Sequence, residues 1–187
     1  MTYRLVEATT VHEGWGKLVV AVIRAPDGRT IKREIEDHGA AVAVLPYDPG
    51  RRVALLVRQF RAAVFVAGGG EEMLEAPAGL LEEEDPATCA RREALEETGL
   101  ALRDLEPVGA VWTMPGISTE RTHLFLAPFA PADKVAEGGG VSDEQEDITL
   151  VEAKLSDLAA KADAGELLDL KLLLLVQTLR LRRPELF

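Results

Sequence analysis

The sequence predicts an α+β fold, and three observations carry the prediction. Segments with strand character crowd the N-terminal third and recur at 72–76, 106–114, 121–129 and 148–153. A helix with both ends marked interrupts them at 86–98, and two further helices, 155–164 and 166–181, follow the last strand. The 187 residues, 47% of them hydrophobic, suit one domain with a full core and a small terminal addition.

In chain order, residues 1–38 read as strands with polar interruptions. Lys17–Arg24 is rich in β-branched residues, Pro26-Asp27-Gly28 marks a turn, and Thr30–Glu36 alternates apolar and polar side chains as a half-buried strand does. This hairpin is expected to form an N-terminal subdomain over 1–38. Ala40–Leu45 reads as a buried strand ended by the turn 46–50, and a second strand over 52–59 runs on into Arg58-Gln59-Phe60-Arg61. Arginines at a strand end can clamp phosphate through bidentate bonds, or equally pair with this chain's many carboxylates. Residues 67–72 form a loop, and Glu72–Ala76 a short strand.

The stretch Ala76–Leu100 is the most informative. Pro77-Ala78-Gly79 reads as a tight loop whose carbonyls can face a cation. Asp85 suits the helix N-cap, Pro86 the first helical position and Gly99 a left-handed stop. Between them Glu93, Glu96 and Glu97 fall at i, i+3 and i+4 and so share one helix face, while Ala90, Ala94 and Leu95 lie largely opposite. Like charges at this spacing destabilise a helix by roughly 0.2–0.5 kcal/mol per pair. A hard divalent cation bound by carboxylate oxygens turns that repulsion into ligation. In isolation such a run is more often a solvated face, with Arg91 and Arg92 screening it.

Downstream, Glu106–Met114 and Arg121–Phe129 read as strands joined by a Pro115-Gly116 turn, with Glu120 at its end. His123 lies in an apolar strand and reads as structural, while His12 and His38 have no site-like spacing. Gly138–Gly140 is expected to be a mobile loop, followed by acidic side chains at Asp143, Glu144, Glu146 and Asp147. Such a run is ordinarily solvated, yet beside a metal site it could supply a base. The final helix is apolar over a wide arc at Leu167, Leu168, Leu170 and Leu172–Val176, so it is expected to be well buried.

Net charge −11 argues against nucleic acid or an anionic membrane as partner, because both are polyanions. Cys89 is the single cysteine, so no intrachain disulfide forms, and a reducing, cytoplasmic setting is expected. No secretory leader is recognised, and the densest apolar run, Leu172–Val176, is too short to span a bilayer.

The run from Gly79 to Leu100 resembles the Nudix box. Gly79, Glu84, Arg92, Glu93, Ala94, Glu96, Glu97, Gly99 and Leu100 stand at the pattern's fixed positions, with four residues instead of five between Gly79 and Glu84. The shortened loop is similar to that of GDP-mannose pyrophosphatases within the family, with the ADP-ribose pyrophosphatases next. The resemblance implies an α/β/α sandwich over 39–187, with a mixed central sheet between helices, and a dimer-forming hairpin at 1–38. It implies Mg²⁺, with Mn²⁺ as a possible substitute, on Glu93, Glu96, Glu97 and the carbonyl of Ala78. It places Arg33 and Glu34 near base and sugar, Arg61 at the substrate and Glu120 at the substrate or a metal-bound water, and pairs Arg92 with Glu84 as a brace; Arg58 and Leu80 are further substrate-binding candidates. Glu144 is its first choice for the catalytic base and Glu146 the second, from a Glu-any-Glu-Asp-Ile pattern spanning Glu144 to Ile148. Met114 departs from the family's usual Ser at that turn. The implied activity is hydrolysis of the pyrophosphate bond of a nucleoside diphosphate sugar, GDP-mannose before ADP-ribose, by a homodimer. A catalytically silent, nucleotide-sensing Nudix module is the alternative from another class; the complete carboxylate set argues against it.

Overall fold

The computed structural model describes residues 2–140 and 147–187, and the chain divides into two compact units. The first comprises Met1–Ala40 with Val111–Thr122, the second Ala41–Ala110 with His123–Phe187.

The first unit is built on a three-stranded antiparallel sheet of β1 (Arg4–Glu13), β2 (Lys17–Arg24) and β3 (Thr30–Asp37), in that order. The turn between β2 and β3 closes through Gly28 N–H donating to the Ala25 carbonyl at 3.0 Å, with Gly28 at φ 90°. The β2–β3 register sets Ala21 opposite Arg33 and Val20 opposite Glu34. The sheet has one strand more than a hairpin. β1 is exposed along its whole length, and its few apolar residues, Leu5, Val6 and Val11 among them, give it no alternating signal. The 111–122 segment joins this unit through backbone bonds: Glu36 N–H donates to the Ile117 carbonyl at 2.8 Å, and Thr119 N–H to the Glu36 carbonyl at 3.0 Å.

The second unit carries the main sheet, which is mixed and flanked by helices. Its strands are β4 (Ala40–Asp48), β5 (Val53–Phe60), β6 (Glu72–Glu75), β7 (Ala78–Leu81), β8 (Glu106–Trp112), β9 (Arg121–Pro128) and β10 (Ile148–Lys154). The order is β10-β5-β4-β9-β8, with β6 added on β5 and β7 on β4. β4 is the buried centre: Val42, Ala43, Val44 and Leu45 are wholly inaccessible, as a strand covered on both faces must be. Helix α1 (Ala62–Val66) is a single short turn, α2 (Pro86–Thr98) carries the box, and α3 (Leu155–Asp163) and α4 (Leu170–Arg182) close the chain. α2 packs through Cys89, Ala90 and Ala94 into a cluster with Val42, Val44, Leu100, Phe125 and Ala127. Small residues on that face let the helix approach the sheet closely. Leu172, Leu175, Val176 and Leu179 bury α4.

Three local expectations are corrected. Ala78–Leu81 is a strand and not a loop, paired with β4. α4 begins at Leu170 and not at Glu166, because the Asp169 carboxylate accepts from Lys171 N–H and Leu172 N–H and so fixes the start there. Gly138–Gly140 is tied down by backbone hydrogen bonds to α2 and is no free loop.

Candidate active site

The site is organised by the two ends of α2. Asp85 accepts from Ala87 N–H and Thr88 N–H at 3.0 and 3.1 Å, and Gly99 at φ 69° ends the helix. Glu93 and Glu97, one turn apart, therefore lie on one face, and both reach the β7 backbone. Ala78 N–H donates to Glu97 Oε2 at 3.1 Å. The Glu93 carboxylate lies so close to Gly79 that a Cβ there would overlap it. A side chain at 79 would therefore displace the Glu93 carboxylate, and glycine leaves it in place against the β7 backbone. Glu97 is 1% exposed.

Arg92 organises the outer rim. Its Nε donates to Glu84 Oε1 at 2.9 Å, and its Nη1 lies 2.9 Å from Glu93 Oε1 and 2.8 Å from Glu96 Oε2. Despite the cost of burying it, these carboxylates raise the guanidinium's pKa further above its ordinary value, so it is a fixed charge. Cys89 Sγ is inaccessible, and burial, reinforced by Glu84, pushes its pKa up to about 12. It is a core residue and no nucleophile.

The donors suit a hard divalent cation, since all are oxygens. Among the described residues no group of at least three acidic, histidine or cysteine side chains already stands together as a metal cage. Arg92 Nη1 holds Glu96 and Glu93 alike. The fit rests on Glu93 and Glu97, whose carboxylates both approach the Ala78–Gly79 backbone.

Arg61 follows β5 and does not stand alone. Its Nε and Nη2 donate to the two oxygens of Glu75 at 2.6 and 3.0 Å. Glu75, 2% exposed, also accepts from Lys171 Nζ at 3.2 Å, and that ammonium reaches Asp169 Oδ1 at 2.7 Å. Burial pushes the Glu75 carboxyl up, but the Arg61 bonds and the Lys171 charge outweigh it and hold it below the ordinary range. Desolvation opposes charge on Lys171, and Asp169 with Glu75 overcomes it, raising its pKa. Glu97 is close enough to favour charged Arg61 as well, so the network adjoins the α2 carboxylates. Neither Glu75 nor Lys171 has a local sequence signal; their meeting spans 96 residues of chain.

The remaining expected site residues are distributed as follows. Arg58 is exposed on β5, in register with Leu74 of β6 and Thr149 of β10. Leu80, on β7, is 38% exposed, and its carbonyl accepts from Cys89 Sγ. Arg33, Glu34 and Glu120 belong to the first unit. There Lys32, Arg33 and Glu34 line an open depression on β3. Glu120 accepts from Thr113 Oγ1 at 2.7 Å and Thr122 Oγ1 at 3.2 Å, with His38 Nδ1 3.5 Å from its other oxygen. His38 is thus a neighbour of a candidate substrate residue that spacing alone did not single out. Glu144 and Glu146 lie outside the described residues.

The fold and the box define a class. A Nudix-domain family model matches residues 37–170, and the chain belongs to the Nudix hydrolase family. It is 43% identical over 159 residues to a GDP-mannose pyrophosphatase of Cronobacter sakazakii (strain ATCC BAA-894), covering 83% of this chain and 82% of that protein. A GDP-mannose pyrophosphatase of Salmonella arizonae (strain ATCC BAA-731 / CDC346-86 / RSK2980) is 38% identical over 151 residues, covering 80% and 78%. One of Escherichia coli O1:K1 / APEC is 35% identical over 158 residues, covering 83% and 82%. In fold the chain is similar to a crystal structure of an ADP compounds hydrolase, with TM-score 0.79 over 99% of this chain and 96% of that one at 17% identity. Among the described residues, no helix is long and apolar enough to cross a membrane.

Proposed function

We propose that this chain hydrolyses the pyrophosphate bond of a nucleoside diphosphate sugar, GDP-mannose before ADP-ribose, in a Mg²⁺-dependent reaction. The convergence of Glu93 and Glu97 on the Ala78–Gly79 backbone carries the reading. The preference for GDP-mannose is supported by the 43% identity to the Cronobacter sakazakii protein.

Glu93 and Glu97, with Glu96 and the Ala78 carbonyl, would hold Mg²⁺, or Mn²⁺ in its place. When bound, the ion supplies neutralisation of charge on the two phosphates and acidifies the attacking water. The protein's own part is placement and proton removal. Glu144 or Glu146 takes the proton from the water as it attacks phosphorus. Arg61 and Arg58 offer their guanidinium groups to phosphate oxygens, Arg33 and Glu34 are assigned to base and sugar, and Glu120 and Leu80 are assigned to the substrate. Arg92 and Glu84 brace the box loop against its helix. Products are a nucleoside monophosphate and a sugar phosphate.

We also assign a homodimer, formed through the exposed edge strand β1, whose Leu5, Val6 and Val11 stand in solvent. Light scattering tests that assignment: a single-chain mass contradicts it.

The test of activity is purified protein with Mg²⁺ against GDP-mannose, ADP-ribose, other nucleotide sugars and dinucleoside polyphosphates, with products separated by chromatography. GDP-mannose turning over fastest supports the reading, and turnover of none of them leaves the silent nucleotide-sensing module.

A further inference from the structure

The C-terminal end of α2 packs against a segment distant in sequence. The last carbonyls of a helix have no partner within it and need one from elsewhere. Here every carbonyl from Ala94 to Gly99 has one. Leu100 N–H and Gly99 N–H take those of Ala94 and Leu95 at 3.3 and 2.8 Å. The next ones are met by a segment more than thirty residues downstream. Gly140 N–H donates to Glu96 O at 3.2 Å, Gly139 N–H to Glu97 O at 2.8 Å, and Lys134 Nζ to Thr98 O at 2.6 Å. Val135 and Ala136 N–H both donate to Gly99 O. Lys134 Nζ also donates to Glu137 O at 2.6 Å, which ties the segment to itself. Its ammonium sits where the helix dipole is negative.

The two backbones touch with no room for side chains. Gly138 stands at φ +77°, and a Cβ there would lie 2.6 Å from Glu97 O and 2.7 Å from the Thr98 carbonyl carbon. A Cβ on Gly99 would overlap Ala136 O and come within 3.0 Å of Lys134 Nζ. Glu97 is consequently held at both ends: its carbonyl by Gly139 and its carboxylate by Ala78 N–H. A carboxylate meant only to face solvent needs neither constraint.

We infer that Lys134 and Gly138–Gly140 form a latch that positions the metal-binding carboxylates, Glu97 above all, by fixing the backbone that bears them. These are positioning residues, since they act through Glu97 and Glu96 and touch no reacting atom. The inference rests on the metal assignment made above. Groups hydrogen-bonded to the ligating side chains themselves are worth about ten-fold to a hundred-fold in metal affinity, and the latch, which acts through the backbone, is expected at the lower end of that range.

The test is direct binding of Mn²⁺ alone, without substrate, followed by the loss of its free electron paramagnetic resonance signal. Lys134→Met keeps the aliphatic stem and loses both bonds, Gly138→Ala inserts the forbidden Cβ, and Lys134→Arg restores a donor. Leu158→Val, a buried α3 position, serves as a destabilised control, and all are read well below their unfolding temperatures. The latch predicts Mn²⁺ dissociation constants raised about ten-fold or more in Lys134→Met and Gly138→Ala, partial recovery in Lys134→Arg, and wild-type affinity in Leu158→Val. If Gly138→Ala does not fold, Lys134→Met decides. Folded variants that bind Mn²⁺ as tightly as wild type overturn the latch, as does an equal loss in Leu158→Val. Wild-type protein that binds no Mn²⁺ would instead overturn the metal assignment beneath it.

Discussion

Replacing Glu75 with Ala is the most demanding test of how the second unit holds its charges. The wild-type carboxylate is 2% exposed and shared by Arg61 and Lys171. Removing one member of a buried pair costs about 3–5 kcal/mol, because the remaining charge is left desolvated. Two features reduce that here. Lys171 keeps Asp169 at 2.7 Å, and the Arg61 side chain is 41% exposed, so water can reach it. With that discount about 2 kcal/mol is expected. For a domain of this size each kcal/mol moves the midpoint by about 2–4 °C, so Tm should fall by about 4–8 °C. Differential scanning calorimetry at pH 7 measures it, with Glu75→Gln expected to lose less because its amide oxygen still accepts. The pH dependence has a fixed sign. Glu75 titrates below its ordinary 4.5 in the folded chain, so its contribution is present above that value and disappears as pH falls through the lowered pKa. Lys171 titrates above its ordinary 10.5, so its contribution is present below that value and disappears as pH rises through the raised pKa. The difference between wild type and Glu75→Ala should shrink as acidification takes the pH below 4.5 and through the lowered pKa. A Tm change under about 1 °C at pH 7, or a difference that grows in acid, refutes the reasoning.

Other outcomes follow from the same geometry. Glu97→Gln should lower turnover by orders of magnitude with an unchanged circular dichroism spectrum, since an amide is a weak ligand for a hard cation; unaltered turnover would remove Glu97 from the metal set. Glu144→Gln and Glu146→Gln should differ in kcat, the larger loss marking the base, and two equal small losses would mean that neither takes the proton. Cys89, inaccessible and with its pKa pushed up to about 12, should resist iodoacetamide at pH 8 in the folded protein. Mass spectrometry showing rapid labelling would contradict its placement in the core.

The legibility of this chain varied with the range of the interactions. α2 could be placed to the residue, because a helix is bounded by groups within a few positions of it: Asp85, Pro86 and Gly99 all act locally. The shared face of Glu93 and Glu97 follows from helix periodicity alone. The strand β7 was hidden because Ala78–Leu81 is short, follows a proline and pairs with β4, which is distant in sequence. Helix α1 has five residues and no side-chain cap, so nothing in its sequence distinguishes it from a loop. Glycine was misleading at 138–140. Read alone, three glycines mean freedom, but here their missing side chains permit backbone contact with α2. The Arg61–Glu75–Lys171 network and Lys134 on Thr98 are products of tertiary folding, and no periodicity encodes them.

The central claim is metal-dependent attack of water on phosphorus. Its most direct test is turnover of GDP-mannose with Mg²⁺ in ¹⁸O-enriched water, with products analysed by mass spectrometry. The expected products are GMP and mannose 1-phosphate, with one ¹⁸O from solvent on a phosphate of one of them, and no reaction in excess chelator. Formation of GDP and ¹⁸O-labelled mannose would place the attack on carbon and contradict it.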